Sequence, residues 1–457
     1  MTLPAEVSMD AWTGSIAATG PLADTAVNWG ARRGLPHSQK PLAFDAPADP
    51  SNWRHHAVGY GVLLLDDPAV SGTAKATGED APSGVLRILK ERPGTVLLRW
   101  SPELEDRYLR RYTPDGHPQD LLVGLTKFGA AQGNFLPRYV LVAGGPEVIP
   151  WSVQYSLSIR HAVGRLPFSD ERLDRYVDAL LRDWSGSAVD VTAPLLWTVD
   201  HGPTDITRLM RAAVTAPLDK AFDGTLDGRR HLTDDAATST NLLESLERNP
   251  ALVVTSSHGA TPTSNPELLR ATLGTPVDTA HTATPVDDLA AAMPSGAVWF
   301  AQACCSAGGA GSSSYDGLLG DGSAAAVVRT VAGLGPVVAP AALRLLSRDD
   351  PVRAVIGHVE PTFDWTLRAD DTGQLLGGTI VQALSSNIHH GQPLGYAFGD
   401  YRAGVGQLHT DWAQKREQLA KGDMSVLPLL TRLRLTAVDR QSMVLLGDPT
   451  VTLPPLP

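Results

Sequence analysis

Short, wholly apolar runs alternate with stretches of helical period along most of this chain. Tyr139–Ala143, Pro194–Val199, Leu252–Thr255 and Ala297–Ala301 are such runs. They show no polar alternation, so they read as strands buried on both faces, the pattern of a parallel sheet. Between them, apolar residues recur at helical spacing. Leu173, Tyr176, Val177, Leu180 and Leu181 share one face of a helix that Ser169 can cap and that runs to about Trp184. Ile206–Val214, Thr238–Arg248, Ser323–Leu334, Thr379–Ile388 and Asp411–Leu419 are further helices, and Pro336–Ala342 and Ala354–Glu360 further extended pieces. Strand and helix in alternation predict an α/β protein with a mostly parallel sheet and helices on both faces.

The pattern before residue 136 is less regular. Residues 1 to about 50 show no period and look like an irregular lead-in. Ala57–Leu65 is a strand, Asp66–Ser83 a polar loop, and Leu104–Tyr112 and Asp120–Ala130 read as helices. Asn134–Pro137 marks a boundary. The expected organisation is an N-terminal α/β extension over 1–135 and a main domain over 136–457.

Composition narrows the function. The chain has 457 residues, 43% hydrophobic and 19% charged, enough for a large core. A net charge of −11 argues against a nucleic-acid surface. No apolar run approaches the ~20 residues of a membrane span. The first residues lack the basic and apolar regions of a secretory signal, so a cytoplasmic location is expected. Arginine outnumbers lysine and alanine is abundant, as in GC-rich bacterial genomes. Two adjacent cysteines, Cys304 and Cys305, suit neither a disulfide scaffold nor a metal site. His389-His390 has no ligand spacing around it and reads as a solvated helix end. No cofactor or metal is expected.

The chemistry concentrates at two strand ends. Ser256-Ser257-His258-Gly259 closes one apolar run and Gln302-Ala303-Cys304-Cys305-Ser306 closes another. If the two strands are neighbours, an imidazole and a thiol emerge together at the carboxyl edge of the sheet, where open α/β sheets place reactive groups. Covalent cysteine catalysis needs that pair. A histidine about 50 residues upstream of Gln-Ala-Cys is a known spacing in caspase-type enzymes. Gly259, having no side chain, lets its amide approach a substrate carbonyl. The Gly259 and Cys304 amides are the expected oxyanion donors.

These motifs and their order resemble a known group. Tyr139–Gly145, Ile149-Pro150, Gly164-Arg165-Leu166-Pro167 and the terminal Leu446-Gly447-Asp448-Pro449-Thr450 are similar to the gingipain-type peptidase domain. Ala303-Cys304-Cys305-Ser306-Ala307 resembles the CHAT proteases, bacterial relatives of caspases and separase. The resemblance covers roughly residues 139–453. It implies a caspase-haemoglobinase-like three-layer sandwich and a Cys-His endopeptidase. Cys304 then matches the nucleophile, and Cys305 occupies a variable position. His258 matches the general acid/base, and the pattern requires no third acidic member. Cys305-Ser306 replaces the caspase Arg-Gly, so cleavage after aspartate is not implied.

A basic P1 side chain is the specificity the resemblance implies. Asp200, at a strand end, and Asp316, beyond the cysteine, are the acids assigned to it. A turn-capping role is the competing reading of Asp200, and Asp321 is a rival acid that helix capping explains. Gly308–Gly322 reads as a loop over the site. The expected partners are a protein or peptide substrate and an activating protein, in a bacterial stress or defence setting. Nucleic acid and membrane are not expected. The alternative function is a pseudo-protease, a binding or scaffold module that leaves the dyad unused. An acyltransferase or thioesterase is disfavoured by the lack of a Gly-x-Cys-x-Gly elbow.

Overall fold

A computed structural model of the chain describes residues 6–12, 17–21, 48–131, 133–319, 322–369 and 372–457. It divides into two compact units, Met1–Pro47 and Ala48–Pro457. In the first, β1 (Glu6–Trp12) pairs antiparallel with β2 (Ala17–Pro21), where the irregular sequence had suggested no strand.

The second unit is built on a 12-stranded sheet. Its strands in chain order are β3 (Tyr60–Leu65), β4 (Val96–Trp100), β5 (Tyr108–Tyr112), β6 (Pro118–Leu122), β7 (Tyr139–Ala143), β8 (Ala162–Leu166), β9 (Leu195–Thr198), β10 (Arg230–Thr233), β11 (Leu252–Ser256) and β12 (Val298–Gln302). A separate small ribbon, β13 (Gly308–Gly309) and β14 (Val337–Val338), follows the cysteines. Then β15 (Ala354–His358) and β16 (Met443–Gly447) complete the large sheet. The spatial order is β10-β9-β11-β12-β15-β16-β8-β7-β3-β4-β5-β6.

The sheet has two parallel halves of opposite direction. β10, β9, β11, β12 and β15 run one way. β16, β8, β7, β3 and β4 run the other. The halves meet at the antiparallel pair β15–β16, with Ile356 opposite Leu445. Central strands are buried along their whole length, as their apolar runs require. Helices such as Glu171–Leu181 and Pro340–Ser347 bury apolar faces into the same core.

Residues 48–135 are not a separate layer. β3 pairs with β7 in register Tyr60↔Tyr139, so strands on both sides of residue 135 share one sheet. The helices expected at Leu104–Tyr112 and Asp120–Ala130 are instead the edge hairpin β5–β6. The expected strand at Pro336–Ala342 is two residues of β14 followed by a helix starting at Pro340. Asp170, not Ser169, caps the helix Glu171–Leu181, accepting from the Arg172 N–H. The motif residues lie where the halves join. Leu446 pairs with Arg165, and a Cβ on Gly164 would lie 2.1 Å from the Gly447 carbonyl oxygen.

A cysteine and a histidine at adjacent strand ends

β11 and β12 are parallel neighbours in register Leu252↔Val298 through Ser256↔Gln302. His258 and Cys304 each lie two residues past the last pair, so the sheet itself sets them side by side. The turns are in close contact. A Cβ on Gly259 would sit 2.0 Å from the Cys304 carbonyl oxygen. Only glycine permits that approach, so Gly259 is needed first for packing the His turn onto the Cys turn. Among the described residues, neither the Gly259 nor the Cys304 amide is used in the backbone hydrogen bonds of these turns.

The two cysteines differ sharply. Cys305 is fully buried against Leu269, Leu273 and Val331, with φ of 57°, a conformation that costs a non-glycine residue roughly 1 kcal/mol or more. Burial pushes its thiol well above the ordinary cysteine range. Cys304 is half-buried. Its sulfur accepts the Thr362 N–H at 3.3 Å. Burial still pushes the Cys304 thiol upward, with the Thr362 donation opposing. At rest the group is a thiol that must lose its proton during attack.

The Cys turn is stapled from below. The Ser306 hydroxyl lies 2.8 Å and 2.9 Å from the Ala301 and Ala303 carbonyls and accepts the His358 N–H at 3.1 Å. Glu360, just beyond β15, accepts the Ser314 N–H at 3.1 Å and so holds the Gly/Ser loop after the cysteines. Thr362 belongs to a segment held by Asp439, which takes the Thr366 hydroxyl. Burial pushes Asp439 up to about 7, against donation from Thr366 and the Phe363 N–H.

His258 has a partner that spacing did not reveal. Its Nε2 lies 3.0 Å from Asp205 Oδ2. Asp205 caps the helix beginning at Ile206, accepting the Thr207 N–H at 2.9 Å and the Thr207 hydroxyl at 2.6 Å. Burial would raise the Asp205 carboxyl, but the Thr207 donors and then His258 bring it down to about 2. Asp205 is thus an anion that fixes the imidazole through Nε2 and leaves Nδ1 to exchange protons. The only local sign in the sequence is an aspartate just before a helical pattern, which marks a cap and nothing more.

The remaining expected residues lie as follows. Asp200, just after β9, accepts the Gly202 N–H at 2.9 Å and faces Arg211 at 3.7 Å, as a turn residue does. Asp316 is exposed and lines a cleft of about 350 Å³ with Tyr315, Trp412 and Leu435; Arg416 and Arg434 line it too. Asp321 lies outside the described residues. His389 is buried edge-on to Phe222, not solvated, and burial pushes it down to about 4. Among the described residues, no helix is long and apolar enough to cross a membrane.

No family model matches the chain, and no curated protein matches it. Among solved structures it is similar to the Arg-specific cysteine proteinase gingipain R, at 13% identity over 87% of this chain and 79% of that one, with a TM-score of 0.45. A structure described as a protease matches at 10% identity over 86% and 78%, with a TM-score of 0.46. Separase, in the Saccharomyces cerevisiae separase–securin complex, matches at 12% identity over 70% and 16%, with a TM-score of 0.35. The likeness concerns the course of the backbone alone.

Proposed function

We propose that the protein is a cysteine endopeptidase with Cys304 as nucleophile and His258 as general acid/base. The observation that supports this reading is the β11–β12 register, which brings Cys304 and His258 to adjacent strand ends, with His258 held by Asp205.

The chemistry follows from the groups present. The Cys304 proton passes to His258 Nδ1 as sulfur attacks the peptide carbonyl carbon. The carbonyl oxygen becomes an oxyanion facing the Gly259 and Cys304 amides. Collapse breaks the C–N bond, and the leaving amine takes the proton from His258. Water then attacks the thioester and gives a proton to His258; collapse breaks the C–S bond, and the leaving sulfur takes that proton back, regenerating the Cys304 thiol and releasing the acid. Asp205 stabilises the imidazolium in each half-reaction; it is a positioning residue.

A basic P1 preference is the finer reading, with Asp200 and Asp316 as its acids. Asp316 is the better supported, because Asp200 already has Arg211 and the Gly202 amide. Arg416 and Arg434 beside Asp316 weigh against a purely cationic subsite. Profiling a peptide library with wild type, Cys304→Ala and Asp316→Asn tests both levels. No cleavage by wild type would remove the peptidase reading, cleavage that survives Cys304→Ala would remove Cys304 as nucleophile, and an unchanged P1 profile in Asp316→Asn would remove that acid.

A further inference from the structure

A second histidine stands behind the proposed dyad. His201, in the turn after β9, stacks on His258 with ring centroids 5.4 Å apart and planes 15° from parallel. His281 also stacks on His201, with ring centroids 4.1 Å apart. One ligand atom each from His201, Asp205 and His258 lies within 4.8 Å of the others, the single such set among the described residues. His258 Nε2 and Asp205 Oδ2 are already 3.0 Å apart.

His201 is prepared as a ligand. Its Nε2 is 3.0 Å from the Asp278 carbonyl oxygen, which can only accept, so Nε2 carries the proton. Its Nδ1 then bears the lone pair, and it is buried with no hydrogen-bond partner. Imidazole ligands of metals are held in this manner, one nitrogen donating to a backbone carbonyl and the other free to coordinate. The Asp278 loop is itself rigid, its carboxylate accepting the Ser239, Ala280 and Thr282 amides. The His201 backbone is fixed by donation to the Thr207 hydroxyl at 3.0 Å, and Thr207 also donates to Asp205. Two ligands therefore share one anchor.

We propose that His201, Asp205 and His258 form a site for a divalent transition-metal ion, zinc by the character of its ligands, that silences His258 when filled. Two imidazoles and a carboxylate suit zinc, with bonds of about 2.0–2.2 Å and a fourth position left for water. The separations close to that geometry by rotation of the Asp205 and His258 side chains, which are 28% and 38% exposed. The metal takes the Nε2 lone pair of neutral His258, so the single ring proton moves from Nε2 to Nδ1 and a metal bond replaces the hydrogen bond to Asp205. With its proton on Nδ1, His258 cannot accept the Cys304 proton. The silencing rests on the peptidase reading; the binding does not.

The test uses the full chain, freed of metal, with Co²⁺ and Zn²⁺ as probes. Binding is read by calorimetry and by the cobalt d–d spectrum, without substrate. We expect one ion per chain, binding weakened by about tenfold or more in His201→Gln. Binding should be unchanged in Cys304→Ser, with no sulfur-to-cobalt charge-transfer absorption. X-ray absorption of the zinc form should show nitrogen and oxygen neighbours, two of them imidazole, and no sulfur; it needs no variant. Zinc should slow alkylation of Cys304 in wild type and do so far less in His201→Gln. Absence of binding, binding indifferent to His201, or binding lost in Cys304→Ser overturns the site. Protein that binds cobalt through His201 yet cleaves no peptide removes the peptidase reading and leaves the site. Protein that cleaves peptides and ignores metal does the reverse.

Discussion

The two halves of the sheet both end their strands in polar residues, and they treat them in opposite ways. Beyond β3, Asp66 is buried and saturated. It pairs with buried Lys75, with Arg110 at 2.9 Å and with the Tyr112 hydroxyl at 3.1 Å. At the seam, Asp448 accepts the Tyr60 hydroxyl at 2.6 Å and the Thr450 N–H at 2.8 Å. Arg165 donates to Gln154 and the Gly144 carbonyl over the Trp151 ring, and burial pushes it down to about 9. Beyond β11 and β12, Ser306 is likewise saturated, but His258 and Cys304 are left more open. The His258 side chain is 38% exposed with one carboxylate partner, and Cys304 has one N–H donor. Saturated networks hold a fold together. Open ones keep donors and acceptors for something that arrives.

The largest effect should break the open half without touching the fold. Cys304→Ala and His258→Ala are each expected to lower peptide cleavage by about 10³-fold or more, with the melting temperature nearly unchanged. Cys305→Ala should keep cleavage and lose stability instead, because Cys305 is packed in the core. Next comes Gly259→Ala. Its methyl group would push the His turn off the Cys304 carbonyl, and an expected loss of about 10²-fold in kcat would match a displacement near 1 Å.

The saturated half should show the reverse. Asp66→Asn leaves buried Lys75 without its counter-charge, and chemical denaturation should show a loss of about 3 kcal/mol with kcat per folded molecule unchanged. Loss of cleavage in the folded variant would mean that the two halves are coupled.

Two smaller effects concern pH. Because burial raises the Cys304 thiol, its alkylation rate should climb about tenfold per pH unit between 7 and 9. A plateau from neutral pH would instead indicate a preformed thiolate–imidazolium pair. Asp439 keeps its proton in the fold up to about 7, whereas an unfolded aspartate releases it near 3.9. Stability from this group therefore falls as pH rises from about 4 to about 7. Asp439→Asn should remove that slope and gain on the order of 4 kcal/mol over wild type at pH 8, with little difference at pH 4.

The legible parts of this chain are those decided by burial. β7, β9, β11 and β12 are buried throughout because both faces are covered, and the apolar runs within them mark them in the sequence. The edges are harder. β5 carries Arg110 and Arg111 and pairs Arg110 across to Asp120 of β6, so charge masks the strand pattern. β10, at the opposite edge, is Arg-His-Leu-Thr and only one of its residues is buried. In the site, Cys304, His258 and Gly259 were legible because they close apolar runs. Asp205 and His201 were not, since the fold brings them to His258 from a distant turn and helix cap. The sequence reading makes Gly259 an oxyanion donor. Its small size is required, but first for contact with the Cys304 backbone.

The most direct measurement is labelling with an irreversible electrophilic peptide, followed by mass-spectrometric location of the adduct in wild type, Cys304→Ala, Cys305→Ala and His258→Ala. The proposed dyad requires a single adduct on Cys304, absent in Cys304→Ala, strongly slowed in His258→Ala and retained in Cys305→Ala. An adduct on Cys305, or labelling of Cys304 at the same rate without His258, would contradict it.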